Sequence, residues 1–239
     1  MKRIHIVSHC YATELPHYAQ ALVYQLSSFM LHPPEECIVE VTVCCDYHDE
    51  NTGRVVRWFL EHQPNLMINT IYLTPQELGR RAIGRNRAAK TGVFDFVWFA
   101  DCDQIYRDGI LDRLATMEWP EGAVMIFPKQ IMIHRDHATG DKVTAAVGDD
   151  VRLMDADTSL FVPKQYHRAI GGVQIVQGSF AREHGYLDCR PDWQQPVEKP
   201  FSSFRDDIIY RRHCLLHGQI VGVDLPGVYR IRHARTTHR

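Results

Sequence analysis

The run Phe94-Asp95-Phe96-Val97-Trp98-Phe99-Ala100-Asp101-Cys102-Asp103 constrains this chain more than any other stretch. An aromatic-rich apolar segment of that length reads as a central strand buried on both faces. It ends abruptly in two aspartates one residue apart. In an open α/β sheet, ligands bind outside the carboxyl ends of the strands, so these carboxylates stand where such a sheet presents its chemistry. Extended backbone turns residues i and i+2 to the same side. Asp101 and Asp103 are therefore expected to converge on one cation, with Cys102 turned back toward the core. Hard carboxylate oxygens suit Mg2+ or Mn2+, which keep positions open for phosphates. A plain strand followed by a polar turn would show the same residues.

Before that run the chain alternates. Ile4 to Val7, Val39 to Cys45 and Met67 to Leu73 read as strands. Between them Tyr18, Leu22, Leu26 and Phe29, and then Val55, Phe59 and Leu60, recur at helical spacing. Pro75 opens a further helix, with Leu78 and Ile83 inward and Arg80, Arg81, Arg85, Asn86 and Arg87 around it. Such alternation argues for a parallel sheet with helices on both faces. Neither Gly-x-Gly-x-x-Gly nor a phosphate loop ending Gly-Lys-Ser/Thr occurs, so those nucleotide-binding mechanisms are unsupported.

After Asp103 a helix is expected around Ile110 to Met117 and strands at Ala123 to Phe127 and Ser159 to Val162. Gln130 to Ala146 reads as a hairpin turning at Ala138-Thr139-Gly140-Asp141. Ile170 to Gly178 reads as flexible and glycine-punctuated, and Gly185 to Pro200 as a long functional loop. Ser203-Phe204-Arg205-Asp206 has capping-box spacing ahead of a helix that Gly218 ends. Gln219 to Val223 and Val228 to Ile231 are expected as closing strands, followed by His233.

The formal charge of -2 supplies no basic field, so nucleic acid is not an expected partner. Arg230, Arg232, Arg235 and Arg239 are a local exception, readable as a solvated tail or as a surface for an anion such as a diphosphate. Seven cysteines without zinc-type spacing are expected to be mostly reduced and buried, in a cytoplasmic protein. Of the 14 histidines most are expected on the surface or hydrogen-bonded in the core. Met1-Lys2-Arg3 runs into a strand too short for a signal peptide, and no apolar run of about 18 residues predicts a membrane span. Peripheral membrane contact stays open.

With both ends read, the succession of features resembles the nucleotide-sugar-dependent glycosyltransferases of the GT-A fold, most closely the large inverting family 2. Asp101-Cys102-Asp103 resembles the Asp-x-Asp motif, and Gly84-Arg85-Asn86 the Ala-Arg-Asn element before it. Asp46 stands where the family uses an aspartate on the nucleobase. Gly171-Gly172 resembles the glycine pair beside the acceptor. Arg205-Asp206-Asp207, with Arg211-Arg212 and Gly218, resembles the Glu-Asp motif and its helix. His233 stands where several such enzymes carry a late metal ligand. The sequence departs from the family at Cys45-Asp46-Tyr47-His48, where Asp-Asp-Gly-Ser is usual, and at Asp206-Asp207, where Glu-Asp is usual.

The resemblance implies a single catalytic domain over 1–239, with a mostly parallel central sheet flanked by helices and a smaller acceptor-side β region. Residues 1–103 would form the nucleotide-sugar half and 104–239 the acceptor and catalytic half. It implies a UDP-sugar by default, a carbohydrate or other hydroxyl acceptor, and Mn2+ or Mg2+ held by Asp101, Asp103 and His233. Ser8, His9, Tyr11, Asp46, Arg81, Arg85, Asn86 and Asp101 are the expected donor contacts. Asp207 is the expected general base, with Asp206 its neighbour, and inversion the implied outcome. Each residue also has a structural reading: helix capping for the two aspartates, a solvated helix face for the arginines, an exposed tail for His233. Two other functions fit parts of the pattern. A sugar-nucleotide nucleotidyltransferase would want a glycine-rich basic loop after the first strand, and Ser8 to Pro16 contains no glycine. A noncatalytic nucleotide- or carbohydrate-binding module would not need both paired aspartates and a late base.

Overall fold

The computed structural model describes residues 1–13, 15–148, 150–198 and 205–233. The expected Ser203 cap, Phe204, Arg235 and Arg239 lie outside them. The first half follows the alternating pattern. β1 (Lys2–His9) leads to α1 (His17–Leu31), β2 (Cys37–Asp46) to α2 (Glu50–His62), and β3 (Met67–Leu73) to α3 (Pro75–Leu78) and α4 (Arg81–Ala89). The aromatic strand is β4 (Phe96–Phe99). Where one helix was expected after Pro75 there are two. Thr74 and Glu77 form a capping box on α3, and Arg80 then swings into extended backbone before α4 starts.

The second half comprises β5 (Gln104–Tyr106), α5 (Ile110–Thr116), β6 (Ala123–Pro128), β7 (Gln130–His134), α6 (His137–Ala145), β8 (Phe161–Gln165), β9 (Gln174–Gln177), α7 (Gly178–His184), α8 (Asp206–Cys214), β10 (Gln219–Val223) and β11 (Val228–Arg230). Among the described residues the main sheet has the order β10-β6-β9-β4-β1-β2-β3. Its pairings are parallel except those that β9 makes with β4 and β6. A smaller sheet, β5-β11-β7-β8, carries the residues that follow the central aspartates.

The two-residue period of each strand sorts its side chains between two helical layers. Ile4, Ile6, Phe96 and Trp98 pack with Leu22, Phe59 and Leu114 on one face. Val7, Val97 and Phe99 pack with Leu78, Ile83, Tyr186 and Tyr210 on the other. Burial on both faces explains why Phe96 to Ala100 has no polar side chain. Each large side chain so buried contributes about 1.5–3 kcal/mol.

Two segments differ from the sequence expectation. Gln130 to Ala146 is not a hairpin. After β7, Asp136 accepts the Thr139 amide at 2.7 Å and starts α6, so the apparent turn Ala138-Thr139-Gly140-Asp141 is helical. Gly140 is there for close approach, because a Cβ would run into the Arg232 carbonyl. Ile170 to Gly178, expected to be flexible, holds β9, whose Gln174, Ile175 and Val176 are buried in mid-sheet. The strand expected at Ser159 begins later, at Phe161, behind a single 3-10 turn.

His5 makes this sheet acid-sensitive. Its Nε2 lies 2.7 Å from Thr42 Oγ1, and its ring stacks on Phe94. Burial, aided by the Arg3 charge, lowers its pKa to about 4. Unfolded, the ring takes a proton near pH 6.5. Between those values the unfolded chain holds the extra proton, so stability is lost as pH falls from about 6.5 to about 4, by about 3 kcal/mol when complete. Denaturant unfolding at pH 7 and at about pH 4.5 should show a smaller difference for His5→Gln than for the native chain. An equal difference would remove His5 from the account.

Candidate functional site

β4 stops at Phe99, and the chain turns through Asp101-Cys102-Asp103, with the Gln104 amide on the Asp101 carbonyl at 3.3 Å. The extended arrangement expected for the two aspartates is thus replaced by a turn, because the backbone must reverse to start β5. Cys102 is buried as expected. The carboxylates still converge, and Arg230 bridges them. Its Nε donates to Asp103 Oδ2 at 3.0 Å, and its Nη2 lies 3.6 Å from Asp101 Oδ2. Antiparallel pairing of β11 with β5 sets Arg230 opposite Gln104 and so places it there.

The two aspartates differ in what they have left to offer. Asp101 Oδ1 accepts from Arg81 Nη1 at 2.9 Å and lies 3.5 Å from Arg85 Nη2. Burial pushes the Asp101 carboxyl up, but Arg81, Arg230 and Arg85 outweigh it and hold the pKa at about 2. Both of its oxygens face guanidinium groups. Asp103 is buried, and its Oδ2 faces Arg230 and, at 3.5 Å, His233 Nε2. Its Oδ1 is buried with no hydrogen-bond partner among the described residues. Leaving a buried acceptor unpaired costs about 1–3 kcal/mol. That oxygen and the adjacent imidazole form a donor set that fits a divalent cation. The His233 ring lies against those of His17 and Tyr18, with centroids 4.7 and 4.8 Å away.

Gly171 and Gly172 connect this centre to α8. A Cβ on Gly172 would stand 2.7 Å from Asp101 Oδ2 and 2.5 Å from Gln104 Nε2, so only glycine lets the loop lie against Asp101. The Gly172 carbonyl accepts from Gln104 Nε2 at 2.6 Å and Trp98 Nε1 at 3.2 Å. Gly171 faces the Asp207 side chain and Arg81. The Asp207 backbone carbonyl accepts from Gln174 Nε2 at 3.1 Å. Asp207 and Asp101 thus flank the glycine pair. Asp206 turns elsewhere: it is buried, and its Oδ2 takes the Ala82 amide at 2.9 Å, capping α4. Adjacent helix residues do not share a face, and here the two carboxylates serve different elements.

The remaining expected residues divide. His9, at the end of β1, is buried with both ring nitrogens unpartnered among the described residues. Burial and the charges of Arg85 and Arg81 hold its pKa low, so the ring is neutral beside Asp101. Tyr11 packs edge-on against Tyr18 at 5.2 Å. Asp46 ends β2, its Oδ1 accepting the His48 amide at 3.0 Å, next to the exposed rings of Tyr47 and Tyr72. Ser8 is buried within β1, its Oγ without a hydrogen-bond partner among the described residues, and two residues are engaged with scaffold. Arg85 donates to Tyr186 Oη at 3.0 Å and the Ala100 carbonyl at 3.2 Å. Asn86 accepts the Tyr186 amide at 2.9 Å and donates to Asp188 at 3.0 Å.

Lys164, Tyr166, Arg230 and Arg232 line a cavity of about 600 Å³ together with Asp103 and His233. Of these, sequence reasoning missed Lys164 and Tyr166. The basic cluster near the C-terminus was a signal for the arginines. Lys164 and Tyr166 gave none, since the pairing of β8 with β7 delivers the first, and the second follows β8 with its amide on the Lys129 carbonyl at 2.7 Å.

Arg85 is the brace behind Asp101. Arg85→Met leaves the Ala100 carbonyl, Tyr186 Oη and part of the Asp101 charge without their buried cation. Unfolding free energy should fall by about 3 kcal/mol, the scale for breaking a buried ion pair. An unchanged urea midpoint would contradict the bracing role.

In sequence the chain matches no protein-family model and no curated protein. Its fold matches solved structures. One is the mannosyltransferase PcManGT from Pyrobaculum calidifontis in complex with GDP-Man and Mn2+, at TM-score 0.60 and 13% identity, covering 99% of this chain and 59% of that one. Another is S. aureus TarS 1-349 in complex with UDP-GlcNAc, at TM-score 0.55 and 16% identity, covering 98% of this chain and 59% of that one. TarS 1-349 in complex with UDP matches at TM-score 0.55 and 17% identity, covering 96% and 60%. The chain thus spans about 60% of the length of these structures. The sheet order, the smaller sheet and these likenesses together identify the architecture as the GT-A fold.

Proposed function

We propose that this chain transfers a sugar from a nucleoside diphosphate donor, a UDP-sugar by preference, to the hydroxyl of a carbohydrate or other acceptor. The observation that carries the reading is the pairing of an unsatisfied Asp103 oxygen and His233 with Asp207 across the Gly171-Gly172 loop. The fold it occupies is shared with proteins crystallised with GDP-Man and Mn2+, or with UDP-GlcNAc. Asp103 and His233, with Asp101 at the edge, would hold Mn2+ or Mg2+. When bound, such an ion supplies Lewis-acid neutralisation of the departing diphosphate.

The chain's own residues do the rest. Arg230, Arg232 and Lys164 line the cavity with the donor geometry that diphosphate oxygens accept. Asp46, at the carboxyl end of β2 with the Tyr47 and Tyr72 rings beside it, would receive the nucleobase. Asp101 keeps Arg81 and Arg230 in position. Asp207 takes the proton from the attacking hydroxyl, a contribution of about 10²–10⁴-fold for a positioned base. A base on the far side of the glycine pair from the phosphate groups favours inversion, as in family 2 hexosyltransferases. In this reading residues 1–103 supply the nucleobase side of the donor site, and 104–239 supply the acceptor side together with the cationic groups that meet the diphosphate. Free cysteines throughout support a reducing, cytoplasmic setting. Among the described residues no helix is long and apolar enough to cross a membrane.

Calorimetric titration of UDP, GDP and dTDP should show one nucleotide binding tightly with Mn2+, weakly with chelator, and weakly to Asp103→Ala. Failure of all three nucleotides to bind would overturn the reading. In a transfer assay Asp207→Asn should retain nucleotide binding while losing about 10²–10⁴-fold in turnover. Full turnover in that variant would remove Asp207 as the base. Slow metal-dependent hydrolysis of the donor without acceptor separates a transferase from a binding module.

A further inference from the structure

Three histidines gather outside that centre. His184 ends α7, His213 lies in the last turn of α8, and His217 in the turn that follows. One ligand nitrogen from each lies within 4.8 Å of the others. His213 is only 8% exposed. Its Nδ1 lies 3.5 Å from Cys189 Sγ, and its Nε2 is buried without a hydrogen-bond partner among the described residues. Phe180 backs the group, its ring centroid 4.6 Å from that of His184 and 5.6 Å from that of His217.

We propose that His184, His213 and His217 bind a borderline divalent transition metal, Zn2+ being the best match, at a second site that fastens α7 to α8. Three imidazoles and one open position for water make a tetrahedral set suited to this ion, whereas Mg2+ and Ca2+ want oxygen ligands. Bond lengths near 2.0–2.1 Å bring tetrahedral nitrogens to roughly 3.4 Å apart. Rotation of the exposed His217 and the half-buried His184 closes the distance to the fixed His213.

The surroundings agree. With Nε2 given to the metal, Nδ1–H donates to Cys189 Sγ, the outer hydrogen bond that fixes ring orientation in such sites. The carbonyl ends of α7 and α8 both approach the cluster, and helix C-termini favour cations. The site shares no residue with Asp101, Asp103 and His233, and it stands whether or not sugar transfer is the activity. Asp207 lies in the first turn of the helix whose last turn carries His213, six residues and about 9 Å along the axis. A metal here would anchor the far end of the helix that carries the proposed base.

The test uses the full chain without a polyhistidine tag, in the Asp103→Ala background, so that the first centre does not compete. After chelator treatment and dialysis, Zn2+ is titrated calorimetrically and Co2+ is followed by visible absorption. The expected result is one saturable Zn2+ site, intense tetrahedral Co2+ bands and a higher melting temperature with Zn2+. His184→Gln and His217→Gln, both at accessible positions, should each weaken Zn2+ binding at least about 100-fold and abolish the thermal gain. No saturable binding would overturn the proposal. So would binding unchanged in both variants, leaving the imidazoles as packing partners of Phe180.

Discussion

Two carboxylates, Asp101 and Asp103, sit within one turn at the end of the central strand, and like charges that close do not both ionise without cations beside them. The guanidinium groups of Arg81, Arg85 and Arg230 supply that balance. They come from α4 in the first half and from β11 near the end of the chain. Charge neutrality at one point therefore ties together elements that are far apart in sequence. It also leaves one carboxylate oxygen, on Asp103, outside the arrangement.

The glycine loop and the first turn of α8 extend this logic. Gly172 lies against Asp101 because it has no side chain, and Gly171 brings the same backbone past Asp207. Asp206 reaches the amide of Ala82, next to Arg81, so the helix that carries Asp207 also positions a cation on Asp101. A single dipeptide thus splits its labour: one carboxylate holds the frame and the other faces the cleft.

How much of this was legible depends on whether the signal was local. The strands and helices up to Phe99 carry their own periodicity, since burial on two faces or one leaves a pattern in the side chains. The convergence of Asp101 and Asp103 followed from their spacing, although a turn rather than an extended strand produces it. β9 was hidden because four residues between glycines are too few for a period. α6 was misread because Thr139-Gly140 looks like a turn, while the glycine answers a contact with the backbone of Arg232 that only tertiary structure reveals. Arg85 and Asn86 carried a donor-site pattern but point into scaffold, and Arg230 reached the site through strand pairing. The neutral state of His9 likewise depends on three-dimensional burial.

β9 has a further consequence. Among the described residues it alone joins β4 and its parallel partners to β6 and β10, and it runs against both neighbours. During synthesis, the block β3-β2-β1-β4 can assemble early, yet β4 keeps an unpaired apolar edge until Gln174 to Gln177 emerge. Until then that edge is a template for wrong pairing, and the long separation makes its closure slow. The seam that completes the sheet is therefore also the step that decides how long a nascent chain carries an open apolar edge.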